Sequence, residues 1–285
     1  MLIKNGRVVP ELLRLAQLQG LEIPEEMEPQ YVSNILQGAW KAPAGVVRAD
    51  IQGPLPDARE IEALGPLGAS AIPINLSKKY HGTLLLGATL KAVTRRMKFM
   101  LDEELDPQKR FRQGSVPQPV YLLGSRRRLD PKQEMTEHVP AILHETGARF
   151  NDQYEKDARL GNWPETEIEM MDRVSCWMNT QYWIHHLISA PDVQKSDGSG
   201  NRSANTAETV KDWLRVAFHG HFLVVSSQPF CENQKMAVER AVKEVGKKEG
   251  YTFDVCGPEA PPLPLSRWLD NLAKQLWEEV QLLPK

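Results

Sequence analysis

Residues 83–89 (TLLLGAT), 120–128 (VYLLGSRRR) and 222–228 (FLVVSSQ) each join a short apolar run to small or polar residues. An apolar run of four to eight residues is typical of a strand that is buried on both faces of a parallel sheet. In open α/β sheets, ligands bind beside the carboxyl ends of such strands. The three segments therefore predict an α/β fold with a binding site where these runs end.

The chain alternates predicted strands with predicted helices over most of its length. The strands are expected at 82–87, 120–124, 183–189, 222–226 and 251–255, and the helices at 90–104, 131–145, 166–180, 206–217 and 232–247. Alternation of this kind favours right-handed crossovers and a mostly parallel sheet with helices on both faces.

Further helices are predicted near both ends of the chain, at 11–19, 29–40 and 265–283. The interval between residues 42 and 67 is rich in Pro and Gly, which is typical of a connecting segment. We therefore predict an N-terminal helical extension and linker over residues 1–67. An α/β domain that includes the C-terminal helix follows over residues 68–285.

Composition narrows the classes of function. The 35 Lys and Arg against 37 Asp and Glu give a formal net charge of −2, which argues against non-specific nucleic-acid binding. Three widely spaced cysteines without a CxxC pair suit a reducing compartment. No signal peptide and no apolar run of ~18 residues is evident, so we expect a soluble cytoplasmic protein without a membrane span.

We expect Trp163, Trp177, Trp183 and Trp213 to pack in the core.

The turn after the second apolar run is the most specific local feature. Ser125 offers a hydroxyl, and Arg126 and Arg127 offer guanidinium groups that bind phosphate or carboxylate through paired hydrogen bonds. Arg95 and Arg96, on the helix that follows the first run, add positive charge to the same rim. The alternative is that the three consecutive arginines form a solvated surface turn.

Glycines end the first two apolar runs. Gly87 precedes Ala88 and Thr89, and Gly124 precedes the arginine turn. Glycine permits close approach of the backbone to a ligand. Neither position belongs to a GxGxxG fingerprint or to a P-loop. The first turn alone therefore favours packing over function, and only its neighbours make it a candidate for ligand contact.

The third run ends in two serines, Ser226 and Ser227, before a predicted helix. A serine there resembles a nucleophile elbow, but the flanking glycines of GxSxG are absent. Gln228 follows directly, and Gln234 is close enough to the helix start to face a cleft. These residues are candidates for ligand contact rather than for nucleophilic catalysis.

Two acidic clusters each allow a structural or a functional interpretation. Thr166 precedes Glu167 and Glu169, which are two residues apart and do not share a helical face, so at most one of them points into a site. Asn205 and Glu208 form a second cluster with the same ambiguity. The structural interpretation is helix capping at both places.

The seven histidines form no HExxH motif and no metal-binding pattern with a carboxylate. His219 and His221 are close enough to chelate a metal, but they precede a strand at the amino-terminal edge of the predicted sheet. A surface role is the more economical interpretation, and no metal site is predicted.

The order of these clusters resembles the bacterial family of YdcF, SanA and ElyC proteins. That family has a glycine-rich strand end, Thr-Glu-Ala-x-x-Met, Ser-x-Asn-Thr-x-Glu-Asn and Val-Val-Thr-Ser in this order. The matching positions are Gly87, Arg95 or Arg96, Gly124, Ser125, Thr166, Glu167, Met170, Asn205, Thr206, Glu208, Ser226, Ser227 and Arg240. At the aligned position of Ser125 the family has a second glycine, Ile168 replaces its alanine, and Thr209 replaces its second asparagine. Gln228 and its neighbours replace the family's usual His and Arg.

The resemblance implies a Rossmann-like α/β/α fold with a cleft for a small anionic, nucleotide-like or phosphorylated ligand. S-adenosylmethionine is one candidate ligand associated with the family. Glu167 and Glu208 are the expected ribose-orienting or acid–base groups. The expected ligand contacts are Gly87, Thr89, Arg95, Arg96, Gly124, Ser125, Arg126, Arg127, Thr166, Asn205, Thr206, Ser226, Ser227, Gln228 and Gln234.

Three hypotheses follow from the sequence. The first is a ligand-binding protein that, if it is an enzyme, performs transfer or hydrolysis at a phosphate or an activated group. The second is a non-catalytic interaction or effector protein on a degenerated version of the fold. The third, a methyltransferase, ranks lowest because the glycine-rich turn after the first strand is only partly present.

Overall fold

A computed structural model describes residues 1–43, 51–68, 70–103, 118–180, 185–194, 200–246 and 249–283. Trp183 and the first part of the predicted strand at 183–189 lie outside the described residues.

The described strands are β1 (Ile3–Lys4), β2 (Arg7–Val8), β3 (Gly82–Leu86), β4 (Val120–Ser125), β5 (His185–Ala190), β6 (Val193–Gln194), β7 (Asn201–Arg202), β8 (Gly220–Val225) and β9 (Tyr251–Cys256). The α-helices are α1 (Pro10–Leu18), α2 (Pro29–Trp40), α3 (Ala58–Leu64), α4 (Leu90–Asp102), α5 (Val139–Thr146), α6 (Asp152–Arg159), α7 (Glu167–Trp177), α8 (Thr206–Trp213), α9 (Cys231–Glu244) and α10 (Leu265–Leu282).

Two compact units share the chain. The first, which we call the helical unit, comprises Met1–Ile72, Ser227–Arg240 and Glu259–Lys285. The second, the sheet unit, comprises Pro73–Ser226 and Ala241–Pro258. The division falls inside α9, so the boundary between the units does not coincide with the end of a helix.

The sheet unit is built on five parallel strands in the order β5-β4-β3-β8-β9. Counted along the chain, this order is 3-2-1-4-5, which is the doubly wound order of Rossmann folds. The prediction of a Rossmann-like α/β/α fold is therefore confirmed. The strand order reverses between β3 and β8, and this switch point is where ligands bind in folds of this type.

Alternating strand residues bury both faces of the sheet. Leu122 and Leu223 belong to the apolar core that contains residues of α4 and α7. Their neighbours Tyr121 and Phe222 instead contact Trp213 of α8, with ring centroids 5.8 and 4.8 Å apart. Because successive side chains of a strand point to opposite faces, helices cover both faces of the sheet.

Helix α7 packs closely against β4 because Gly124 has no side chain. A Cβ atom at Gly124 would lie 3.1 Å from both Ile168 Cδ1 and Met171 Sδ. The helix begins with a capping box, in which Thr166 and Glu169 bond reciprocally to each other's backbone N–H. The capping interpretation of Glu169 is thus confirmed, and Glu167 is left as the acidic residue that faces the sheet.

The helical unit has its own apolar core, which includes Leu36 of α2 and Leu272 of α10. The backbone N–H groups of Leu2 and Ile3 donate to the buried carboxylate of Glu279 at 2.6 and 2.7 Å. The C-terminal helix thus belongs with the first residues of the chain, a grouping that the sequence pattern did not indicate.

Several predicted helix bounds differ from the structure. The helix expected at 131–145 is a turn followed by a short 3₁₀ segment, Thr136–His138, before α5 begins. The carboxylate of Glu134 accepts a hydrogen bond from the backbone N–H of Asp130, which closes this turn instead of a helix. Helix α6 was not predicted, because its sequence is almost entirely polar.

Trp177 and Trp213 are fully buried, as their predicted packing roles require. No helix in the described part of the chain combines the length and the apolar character needed to cross a membrane.

Candidate functional site

The switch point brings together the turn after β3 and the turn after β8. Gly87, Ala88 and Thr89 connect β3 to α4, and Thr89 stands at the N-cap position without making a side-chain capping bond. Ser226 follows β8 and is fully buried. The predicted candidates Gly87, Thr89 and Ser226 therefore do lie at the carboxyl edge of the sheet.

Arg96 forms hydrogen bonds with the backbone at the carboxyl end of β3. Its buried guanidinium donates to the carbonyl oxygens of Leu86 and Gly87 at 2.7 and 3.3 Å, and it lies 3.4 Å from Ser226 Oγ. These bonds satisfy backbone acceptors where the strand ends. Arg96 thus links the two turns of the switch point, whereas Arg95 is half-buried on the same helix.

Glu167 is the first residue of α7, and its carboxylate lies between the ends of β3 and β4. One oxygen, Oε2, accepts from the backbone N–H and the hydroxyl of Ser125 at 2.8 and 2.7 Å. The other oxygen, Oε1, lies 3.7 Å from Arg127 Nη2 and accepts no hydrogen bond from a described residue. The residue is only 8% exposed, so Oε1 is an acceptor with spare capacity on a largely buried side chain.

Gly87 leaves the space that this carboxylate occupies. A Cβ atom there would lie 2.9 Å from both Glu167 Cδ and the carbonyl oxygen of Leu123. Since one of these neighbours is backbone, the chain has little freedom to make room. Glycine is therefore required here for the close approach of Glu167 to the switch point.

A short antiparallel contact holds Glu167 in place. Arg128 pairs with Thr166 as an isolated bridge, and the backbone N–H of Glu167 donates to the carbonyl oxygen of Arg127 at 2.8 Å. The segment after β4 is thereby tied to the start of α7, which brings the candidates Ser125, Thr166 and Glu167 together.

Glu134, which the sequence analysis did not identify as a site residue, is fully buried. Its carboxylate lies beside the first residue of α4. It accepts from the backbone N–H groups of Leu90 and Asp130 at 3.0 and 2.8 Å. Both terminal nitrogens of Arg127 donate to it, at 2.7 and 3.0 Å. Burial lowers the pKa of Arg127, but hydrogen bonds and charge from Glu134 outweigh it and hold that pKa above its ordinary value.

The three arginines of the turn differ in environment. Arg127 is committed to Glu134 and lies near Glu167. Arg126 and Arg128 are exposed, and neither side chain bonds to a residue that the structure describes. Of the two arginines predicted to bind an anion, Arg126 is accessible, whereas Arg127 is held by the protein's own carboxylates.

The second acidic cluster is a helix cap. Asn205 and Glu208 form a capping box at the start of α8, and Arg202 forms a paired ion contact with Glu208. Burial raises the pKa of Glu208, but the bonds from Arg202 and Asn205 outweigh it and lower the pKa overall. Thr206 begins the same helix. Within the described residues, no hydrogen bond or ion pair joins Glu208 to Glu167.

The remaining predicted contacts belong to the helical unit. Ser227 and Gln228 are buried there, and Gln228 Nε2 donates to the carbonyl oxygen of Ser70 at 2.9 Å. Gln234 is half-buried on α9. The side chain of Gln228 thus has a structural partner within its own unit.

The histidines at the opposite edge of the sheet do not converge on one point. His221 Nε2 lies 3.2 Å from Asp254 Oδ2, and its Nδ1 lies 2.9 Å from Thr252 Oγ1. His219 packs against the ring of Tyr251 instead, with centroids 5.0 Å apart. Within the described segments, no cluster of three or more metal-binding side chains is present.

Asp254 should stabilise the fold in a pH-dependent way. Partial burial raises its pKa, but bonds from Lys78 and Tyr80 and the nearby His221 outweigh this and lower the pKa overall. A lowered folded-state pKa gives stability that is present above the unfolded pKa of about 4 and is lost as pH falls through the folded value. Asp254→Asn should therefore cost about 1 kcal/mol at pH 7, and that cost should shrink as pH falls towards the folded-state pKa. Urea unfolding between pH 3 and 7 tests this, and a penalty independent of pH would contradict it.

Glu134 is the principal residue of this region that the sequence analysis missed. It stands in a polar stretch, and no motif or spacing distinguishes it from the exposed Glu137 three residues later. Its role becomes evident only in the fold, where it is buried and accepts hydrogen bonds from Arg127 and from the backbone N–H of Leu90, the first residue of α4.

Comparison of the chain with protein-family models, with curated proteins and with solved structures finds no match. The site must therefore be interpreted from its own geometry.

Proposed function

We propose that the chain is a cytoplasmic protein that binds a small nucleotide-like or phosphorylated ligand at the switch point of its sheet. The observation that carries the proposal is Oε1 of Glu167, which accepts no hydrogen bond from the described residues although the residue is only 8% exposed. In folds with this strand order, a carboxylate near the second strand of the chain accepts a ribose hydroxyl. Glu167 meets that requirement, since it is bonded to Ser125 at the end of β4.

Two further groups support ligand binding at this edge. Thr89 has a side chain that does not cap its own helix. Arg126 is exposed directly after Ser125, and a guanidinium binds phosphate or carboxylate through paired hydrogen bonds. Arg127 supports the site indirectly, because it holds Glu134 and lies near Glu167.

The chemistry that such a site favours is acid–base assistance. If the protein is an enzyme, Glu167 would orient a ligand hydroxyl or take its proton during transfer or hydrolysis at an activated group. S-adenosylmethionine is one candidate ligand, and membership of the YdcF-like family remains a prediction from the order of the motifs.

The second candidate function, a non-catalytic interaction protein, is favoured by Glu134. Its carboxylate and the guanidinium of Arg127 fill part of the region where a ligand phosphate would lie. A cleft filled by the protein's own side chains is expected where the fold has lost its ligand.

A thermal-shift screen of the purified full chain distinguishes the two candidates. The panel contains nucleosides, nucleotides, S-adenosylmethionine, sugar phosphates and polyprenyl phosphates. We expect a member of the panel to raise the unfolding temperature, and Glu167→Gln and Arg126→Ala to reduce that shift. Arg128→Ala, which removes an exposed arginine two residues away, is the matched control and should keep it. Failure of every compound to stabilise the wild-type chain would favour the interaction protein.

A further inference from the structure

The first turn of α4 already holds an anion that belongs to the protein. In doubly wound folds, a bound nucleotide places its phosphates at the N-terminus of the helix that follows the first strand. Helix α4 is that helix, and the N–H of its first residue, Leu90, donates to Glu134 Oε1 at 3.0 Å. The carboxylate of Glu134 therefore occupies the position that a phosphate group takes in such folds.

Among the described residues, the arginine that contacts Glu134 is already shared between two carboxylates. Arg127 places both terminal nitrogens on Glu134 and lies 3.7 Å from Glu167, so two carboxylates share one guanidinium. Arg96 directs its donors at the carbonyl oxygens of Leu86 and Gly87. A phosphate brought to the start of α4 would meet two buried negative charges.

The accessible cation lies elsewhere along the same edge. Arg126 follows the last residue of β4, is exposed, and bonds to no residue in the described part of the chain. The end of this strand, the second along the chain in the sheet, lies beside the ribose hydroxyls in nucleotide-binding members of the fold. An arginine there accommodates a phosphate on the 2′ position.

We infer that the site takes a nucleoside that carries its phosphate on the 2′ or 3′ hydroxyl and none on the 5′ hydroxyl. This inference rests on the proposed function and deepens it. Arg126 pairs with the phosphate, and Glu167 Oε1 accepts a hydrogen bond from the ribose hydroxyl that remains free. Glu134 is the specificity-determining residue, because its charge excludes a 5′-phosphate from the start of α4.

Isothermal titration calorimetry of the full chain with the mixed 2′- and 3′-isomers of adenosine monophosphate, adenosine 5′-monophosphate and adenosine tests the inference, with the three uridine preparations in parallel. We expect the mixed 2′,3′-isomers of one base to bind at least about tenfold more tightly than the 5′-isomer. Arg126→Ala should reduce that affinity to the level of the unphosphorylated nucleoside, whereas the control Arg128→Ala should not. A 5′-isomer that binds as tightly as the mixed 2′,3′-isomers, or more tightly, would overturn the inference.

Variants at Glu134 provide the second measurement. Glu134→Gln keeps an acceptor for the N–H of Leu90 and removes the negative charge, so affinity for the 5′-monophosphate should rise about tenfold or more. If this variant does not fold, Glu134→Gln combined with Arg127→Gln removes both charges of the pair and should show the same gain. An unchanged preference in a folded variant would show that Glu134 does not set the specificity.

Failure of this inference can be told apart from failure of the proposed function. If sugar phosphates or S-adenosylmethionine stabilise the chain while none of the six preparations binds, the inference is wrong and the proposed function stands. If no compound of either experiment binds, both are wrong.

Discussion

Replacing Glu134 with alanine is expected to lower the free energy of unfolding by about 3–5 kcal/mol. The change removes the acceptor for two backbone N–H groups, those of Leu90 and Asp130, and for both terminal nitrogens of Arg127. The half-buried guanidinium of Arg127 would keep its desolvation penalty and lose the interaction that offsets it. Urea unfolding at pH 7, followed by circular dichroism, measures the change.

Glu137→Ala is the matched control, because Glu137 is the same residue type three positions away and is exposed. It should change stability by less than about 0.5 kcal/mol. In the background of Arg127→Ala, the cost of Glu134→Ala should fall, since no half-buried positive charge is then left unpaired. A loss below about 1 kcal/mol for Glu134→Ala alone would mean that the network does not form in solution.

The strands of the sheet could be predicted because the pattern of each strand lies within its own consecutive residues. The apolar runs that became β3, β4 and β8 are buried on both faces, and such strands are recognisable from a few consecutive residues. Helix capping by Thr166 and Asn205 was one of the two interpretations that the sequence allowed, since a cap requires a defined residue type at a defined position, and the structure shows both caps.

The sequence predicted where the candidate site lies but not the role of each residue in it. Arg126 and Arg127 are identical and adjacent in the sequence, yet one is exposed and the other bonds to a buried carboxylate. The difference is made by Glu134, whose burial depends on how a polar turn folds back on α4. Contacts between distant segments, such as that of Glu279 with Leu2, are equally absent from any local pattern.

Trp177→Ala is expected to lower the free energy of unfolding by about 3–5 kcal/mol, the range seen when large buried aromatic residues are truncated. The side chain is fully buried, with ring centroids 5.2 Å from Phe150 and 5.3 Å from Trp163. Its Nε1 donates to Asp157 Oδ2 at 2.9 Å, so truncation leaves a cavity and removes one donor from a buried carboxylate. Urea unfolding followed by far-ultraviolet circular dichroism measures the loss.

A pair of conservative variants separates packing from hydrogen bonding. Trp213 is also fully buried, but its Nε1 has no hydrogen-bond partner among the described residues. Trp177→Phe and Trp213→Phe both reduce packing, and only the first also removes a hydrogen bond to a charged group, worth about 1.5–3 kcal/mol. Trp177→Phe should therefore be the more destabilising of the two. Equal costs would show that the bond to Asp157 adds nothing to stability, and that packing alone makes Trp177 important to the sheet unit.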